Sequence, residues 1–195
     1  MEIVSIVAKP RTELGKKAAK AVRAAGQVPA NLYGGKETAN FAVDYTALRP
    51  LVYSPAFKLA EIEINGKKVK AIVKELQFDP VKDIIKHVDF QELQDNVKVK
   101  VEVPLKLNGV PAGVAMGGKL EQVIRKVKVS ALPKHLPSSV TAEVGDLDFG
   151  QVTRVRDIVI EGVTFLHSPA TPVARLSASR ASKEAAAAAA APAKK

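Results

Sequence analysis

The chain has 195 residues, 47% of them hydrophobic, which is enough for one or two domains with real cores. Thirty lysines and arginines against 20 acids give a net charge of +10, which favours a polyanionic partner without choosing between RNA, DNA and an anionic membrane. Cysteine is absent, which excludes disulfides, thiol catalysis and Cys-based zinc sites; with no signal-peptide pattern and no apolar run near the ~20 residues of a membrane span, a soluble cytoplasmic protein is expected.

In chain order, Glu2–Ala8 reads as a first strand, with Val4, Ile6 and Ala8 on one face. Lys9–Gly35 follows, carrying six basic residues (Lys9, Arg11, Lys16, Lys17, Lys20, Arg23) against one acid, Glu13. Residues 1–95 hold 15 basic and 12 acidic groups, so the positive charge of this half is concentrated there. Spacing predicts a helix over Leu14–Ala25, with Leu14, Ala18, Ala21, Val22 and Ala25 on one stripe and Lys16, Lys20 and Arg23 opposite. Gly26 is expected to end it in the left-handed conformation. Such a cationic row is either a phosphate-facing surface or simply a solvated one.

Val28–Tyr33 and Asn40–Val43 read as short strands, and Asp44 as the cap of a helical turn, Tyr45–Leu51, broken at Pro50 and Pro55. Phe57–Ile64 and Lys68–Phe78 form the clearest pair, joined by the hairpin signal Asn65-Gly66. Asp79-Pro80 marks a turn. Ile84–Leu93 is a strand with Val88 and Phe90 on one side and His87, Asp89 and Gln91 on the other. That alternation predicts a sheet covered on one side and open, to solvent or a partner, on the other.

A boundary is expected near Gln94-Asp95-Asn96, giving domains 1–95 and 96–178. In the second, Val97–Leu107 reads as a strand whose Pro104 implies an edge or bulge. Asn108–Gly118 is a glycine-rich connection, and Lys119–Leu132 a strand. Pro133–Pro137 is a turn or one helical turn, and Val140–Val144, Asp157–Ile160 and Pro172–Ala178 are shorter strands. This unit is mostly β. The Ala/Lys-rich tail, 179–195, has little apolar area to dock and is expected to be disordered or a fraying helix.

Catalytic constellations are few. His135 and His167 sit in turn-like, surface-type segments. His87-x-Asp89 resembles a base with its orienting acid, but no nucleophile stands in a suitable context. One His and one Asp do not make a metal site, and Asn108–Gly118 lacks the spacing and lysine of a phosphate loop. The expectation is a protein that is not an enzyme, with no cofactor, no metal and no catalytic residue. What remains is a polar readout set. Gln77 and His87 donate and accept hydrogen bonds, Asp89 accepts from amino or 2′-hydroxyl groups, and Tyr33 can stack or donate. With the cationic helix face, these suit the wide, shallow minor groove of RNA.

Three motifs in order carry a resemblance: R-x-x-x-G-K-x-x-x-x-x-x-R-x-x-G-x-V-P-A-x-L-Y-G-G at Arg11–Gly35, L-Q-x-x-P at Leu76–Pro80 and H-V-D-F at His87–Phe90. They resemble the 5S rRNA-binding family of the bacterial large ribosomal subunit, number twenty-five in that series. P-A-G-V-x-x-G-G-K-L at Pro111–Leu120 and L-P-x-x-L-P at Leu132–Pro137 resemble the C-terminal β domain of its long form, the general stress protein Ctc type. The resemblance covers residues 1–178. It implies an α+β, mainly β chain: an N-terminal β-barrel with helices, similar to a tRNA-synthetase anticodon-binding domain, then a second, mostly β domain. It implies a ribosomal location, binding to the loop E region of 5S rRNA, and help in anchoring that RNA in the central protuberance. Partners would be 5S rRNA, other large-subunit proteins and 23S rRNA, with no membrane and no DNA. By motif position the RNA contacts fall on Arg11, Lys16, Lys20, Arg23, Tyr33, Gln77, His87 and Asp89. The alternative reading is a stress-related, ribosome-associated factor whose C-terminal domain binds other proteins.

Overall fold

The computed structural model describes residues 2–35, 38–115, 117–148 and 150–178; the tail reading lies outside them. By its contacts the chain divides into two compact units, one built on the residues up to Val101 with Ala131–Ser138, the other on Glu102–Ser130 and from Ser139 onward. No helix among the described residues is long and apolar enough to cross a membrane.

The first unit is a closed barrel. Its strands are β1 (Ile3–Pro10), β2 (Gln27–Tyr33), β3 (Ala39–Asp44), β4 (Leu59–Ile64), β5 (Lys67–Phe78) and β6 (Ile85–Glu92), in the order β1-β3-β2-β6-β5-β4. β1 closes it by serving two partners. Its first six residues run parallel to β4, while Ala8–Pro10 run antiparallel to β3. Alternation fills the inside as the pattern predicts: Ile6, Ala8, Val28, Ala30, Leu32, Phe41, Val43, Ala60, Ile62, Ala71, Val88 and Phe90 form one buried cluster. Asn65 and Gly66 take φ of 51° and 77°, the left-handed pair that a two-residue hairpin turn requires.

Two helices attach to the barrel. α1 (Lys16–Ala24) packs along β2, and Gly26 follows it with φ 75°, as expected. The predicted apolar stripe holds only in part. Ala18, Ala19 and Val22 are half-buried, whereas Leu14, Ala21 and Ala25 are exposed. Leu14 precedes the helix and so never joins its face. α2 (Tyr45–Val52) adds Leu48 and Leu51 to the barrel core. Pro50 does not break it. The helix continues to Val52, and the proline's missing N–H removes one ladder bond, that to the Thr46 carbonyl.

The strands after the barrel form two sheets. β7 (Val99–Asn108), β9 (Lys126–Ala131), β10 (Val140–Glu143) and β12 (Val163–Phe165) lie in the order β10-β7-β9-β12. β8 (Gly118–Gln122), β11 (Val152–Arg154) and β13 (Pro172–Ala178) lie in the order β11-β13-β8. A four-residue helix, α3 (Ala112–Ala115), precedes β8.

Three expectations fail here. β7 is an inner strand despite Pro104, because the proline stands just before the β10 ladder starts at Leu105 and Val140. Lys119–Leu132 is two strands in different sheets, since the chain leaves β8 at Gln122 and crosses to β9. Asp157–Ile160 is no strand; a 3-10 turn occupies Val155–Asp157, where the Asp157 carboxylate accepts from the Arg154 N–H at 2.8 Å. The glycine-rich loop needs one glycine for space as well as conformation. Gly109 has φ +92°, and a Cβ there would meet the Gly145 backbone nitrogen at 3.0 Å.

Candidate nucleic-acid interface

The barrel's outward residues on β2, β6 and β5 lie on three adjacent strands, and register decides which of them meet. Tyr33 is opposite Gln91 and Asn31 opposite Asp89 across β2–β6. Glu75 is opposite Asp89 and Gln77 opposite His87 across β5–β6. Tyr33, Gln77, His87 and Asp89 therefore share one surface.

Two bulges create this register. In β5, Ala71 and Val73 point inward, but so does Leu76; the ladder slips between Val73 and Glu75. Without that extra residue, Glu75 and Gln77 would face the core. In β6, Ile85, Val88 and Phe90 are buried, and the second slip leaves Lys86 as the extra residue.

The second bulge is also where α1 is tied down. The Arg23 Nε donates to the Lys86 carbonyl at 3.0 Å. A bulged residue leaves backbone groups outside the ladder, and Arg23 satisfies one of them. Among the described residues, the terminal nitrogens of Arg23 make no hydrogen bond. Its fork is thus held at the edge of the strand surface and still offers donors. Lys16 and Lys20 are exposed on the same helix, Lys16 standing ~10 Å of helix axis from Arg23. Arg11 is half-buried beside β3. Its backbone N–H bonds the Asn40 carbonyl at 2.9 Å and its Nη2 the Glu13 carbonyl at 3.3 Å, while its Nε is out of solvent with no partner among the described residues.

The loop before β6 is equally fixed. The Asp79 carboxylate accepts from the Val81 and Lys82 N–H groups at 2.9 and 3.2 Å and pairs with Lys86 Nζ at 2.9 Å. Lys86, and after it those two N–H groups, hold the Asp79 carboxyl down at about 2 from an ordinary 3.8. A carboxyl so lowered contributes stability that is fully present above its unfolded value and lost as pH falls through its folded one. Wild type should therefore lead Asp79→Ala in thermal stability at pH 5. The lead should shrink between about pH 4 and pH 2, and a constant gap across that window would refute the assignment.

His87 Nδ1 lies 3.3 Å from Asp89 Oδ1, both side chains about one-fifth exposed. Burial, then the Asp89 and Glu75 carboxylates, push the Tyr33 hydroxyl above its ordinary 10.0, so Tyr33 is a donor at neutral pH. Gly34 takes φ +93°, and a Cβ on it would approach the Gln91 side chain at 3.3 Å and the Glu92 carbonyl at 3.5 Å. The glycine lets the end of β2 run close against β6, which sets where Tyr33 emerges.

The sequence reading did not name Asn31, Glu75 or Lys86. Asn31 was visible in the alternation of β2; Glu75 and Lys86 depend on bulges that no residue type marks. Outside this face, His135 is exposed, and His167 is half-buried with its Nε2 out of solvent and, among the described residues, without a partner, a more enclosed position than its turn context implies. Among the described residues no group of three or more His, Asp or Glu could hold a metal ion. The arrangement offers directed donors and acceptors beside a cationic helix, which is chemistry for binding.

Comparison with known proteins shows the family. The model of the Ribosomal L25p family matches residues 6–90, and that of the Ribosomal protein TL5, C-terminal domain, matches residues 98–180. The large ribosomal subunit protein bL25 of Porphyromonas gingivalis is 43% identical over 95% of this chain and 98% of its own. Those of Amoebophilus asiaticus and Cytophaga hutchinsonii are 36% and 35% identical, covering 93% and 97% of this chain and 92% and 99% of theirs. With both models matched in order and relatives aligned over nearly their full lengths, the chain belongs to the ribosomal L25p family, in the long form that carries the TL5 C-terminal domain.

Proposed function

We propose that this chain is a structural, non-enzymatic constituent of the large ribosomal subunit, that it binds the loop E region of 5S rRNA through its first domain, residues 1–95, and that it helps anchor that RNA in the central protuberance. Family membership supports the ribosomal role. The observation that carries the RNA reading is the convergence of Tyr33, Gln77, His87 and Asp89 on one barrel surface, flanked by α1. α1 supplies attraction to phosphate and fixes orientation. The strand residues supply discrimination, because base and sugar edges carry the information that phosphates lack. Asp89 belongs against a base or 2′-hydroxyl donor, since a carboxylate facing a phosphate is repelled. The second domain, 96–178, with a net charge of +4, adds contacts to other large-subunit proteins and 23S rRNA.

The test is filter binding of the full chain to 5S rRNA and to a 5S rRNA whose loop E is rebuilt as a regular Watson–Crick helix. Tighter binding to the native RNA is expected, and equal affinity for both would overturn the reading.

A further inference from the structure

The polar surface is wider than the residues so far assigned to it. Asn40 on β3 is the register partner of Asn31 on β2, Asn31 that of Asp89 on β6, and Asp89 that of Glu75 on β5. Four polar residues thus form one transverse row over four neighbouring strands, ~14 Å long at the usual strand spacing. Their direction follows from their neighbours. Ala30 and Leu32 flank Asn31, Ala39 and Phe41 flank Asn40, and Val88 and Phe90 flank Asp89; all six pack in or against the core. The side chains between them must point outward.

Asn31 and Asn40 are both half-buried. Neither carboxamide makes an intramolecular hydrogen bond among the described residues. A fixed amide on a rigid strand, with donor and acceptor both uncommitted, is prepared to read a partner that displays donors and acceptors side by side. The row also changes character along its length, with two amides at one end and two carboxylates at the other. The Asn40 end adjoins Arg11, whose N–H is bonded to the Asn40 carbonyl.

We propose that Asn31 and Asn40 are specificity-determining residues. Their amides extend the contact of Asp89 across the RNA minor groove, Asn31 reading the base or ribose edge next to the one Asp89 reads. This deepens the 5S rRNA reading and rests on it. A shallow groove admits such a row because base edges and 2′-hydroxyls are accessible together there.

The experiment uses the full chain and the same two RNAs, 5S rRNA and its version with loop E rebuilt as a regular helix. Asn31→Leu and Asn40→Leu keep shape and remove the amide; Asn31→Ala removes bulk as well. Each variant is first shown to melt as wild type does. The expected result is a loss of roughly 5-fold per amide in affinity for native 5S rRNA, with binding to the rebuilt RNA unchanged, so that the discrimination ratio falls. Affinity lost equally on both RNAs, or an unchanged ratio in all three variants, overturns this inference while leaving the 5S rRNA reading intact. Equal binding of the two RNAs by wild type overturns the 5S rRNA reading itself and this inference with it.

Discussion

Replacing Phe90 by alanine is expected to destabilise the barrel by about 3–5 kcal/mol. Phe90 has no exposed surface. Its ring lies stacked near that of Phe41, with centroids 6.0 Å apart and planes at 26°. In register it stands between Leu32 of β2 and Val73 of β5. The alanine would leave a cavity where β2, β5 and β6 meet, lined by branched side chains whose backbones are fixed by ladders on both sides, so little collapse can fill it. The loss is a large share of the ~5–15 kcal/mol that holds a typical domain together. The measurement is convenient in this chain. All three tyrosines, Tyr33, Tyr45 and Tyr53, lie in the first unit and tryptophan is absent, so tyrosine fluorescence reports on the barrel alone within the intact protein. At ~1–2 kcal/mol per molar urea, the midpoint should fall by roughly 1.5–5 M. Asp89→Ala, one residue away but facing outward, gives up the contact with His87 and no core volume, and should cost about 1 kcal/mol or less. Equal shifts for the two would mean that the strand does not alternate as described.

That contrast shows what was legible in the sequence. His87-Val88-Asp89-Phe90 carries its two faces in its letters, and Asn65-Gly66 carries its turn, because both are local consequences of residue type. Barrel closure is not local. β1 must pair with β3 through its last residues and with β4 through its first, and no pattern within Ile3–Pro10 says so. The bulges in β5 and β6 are hidden for a related reason: each costs one residue of register and is recognised only when the partner strand is known. The second unit was read less well because its strands are short and change sheets. Lys119–Leu132 is apolar enough to read as one strand, and only tertiary pairing divides it. Pro104 misled because its penalty depends on which ladder bond it removes, and β10 begins one residue later.

The candidate site divides along the same line. The residues named from the motifs lie on α1, just before it, or on the strand surface, and Gln77 reaches that surface only through the β5 bulge, which its alternation does not announce. How they are joined was not legible. Arg23 looked like one more phosphate contact on a cationic face, and nothing in the sequence indicates that its Nε reaches the Lys86 carbonyl. That bond arises from a helix and a bulge 63 residues apart in the chain. It links the helix, the bulge that orients His87, and the Asp79 loop that holds the Lys86 side chain.

This linkage makes Arg23 the residue whose substitutions should separate attraction from position. Arg23→Ala removes the proposed phosphate donor and the tether of α1 together. Affinity for 5S rRNA should fall roughly 10- to 100-fold, the range for hydrogen bonds involving a charged group, and the salt slope should shrink by about 1. The rebuilt-loop RNA should weaken by a similar factor, since phosphate contacts carry no sequence. Arg23→Lys is the sharper case. An ammonium keeps the charge, so the salt slope should stay near that of wild type. Yet one point donor cannot bond the Lys86 carbonyl and present a planar fork to phosphate at the same time. Lysine should therefore recover only a minor part of the lost affinity, and what it recovers should disappear at high salt, where screening removes attraction that is not backed by geometry. Full recovery by lysine would show that α1 needs only its charge and that the bond to the β6 bulge plays no part in binding.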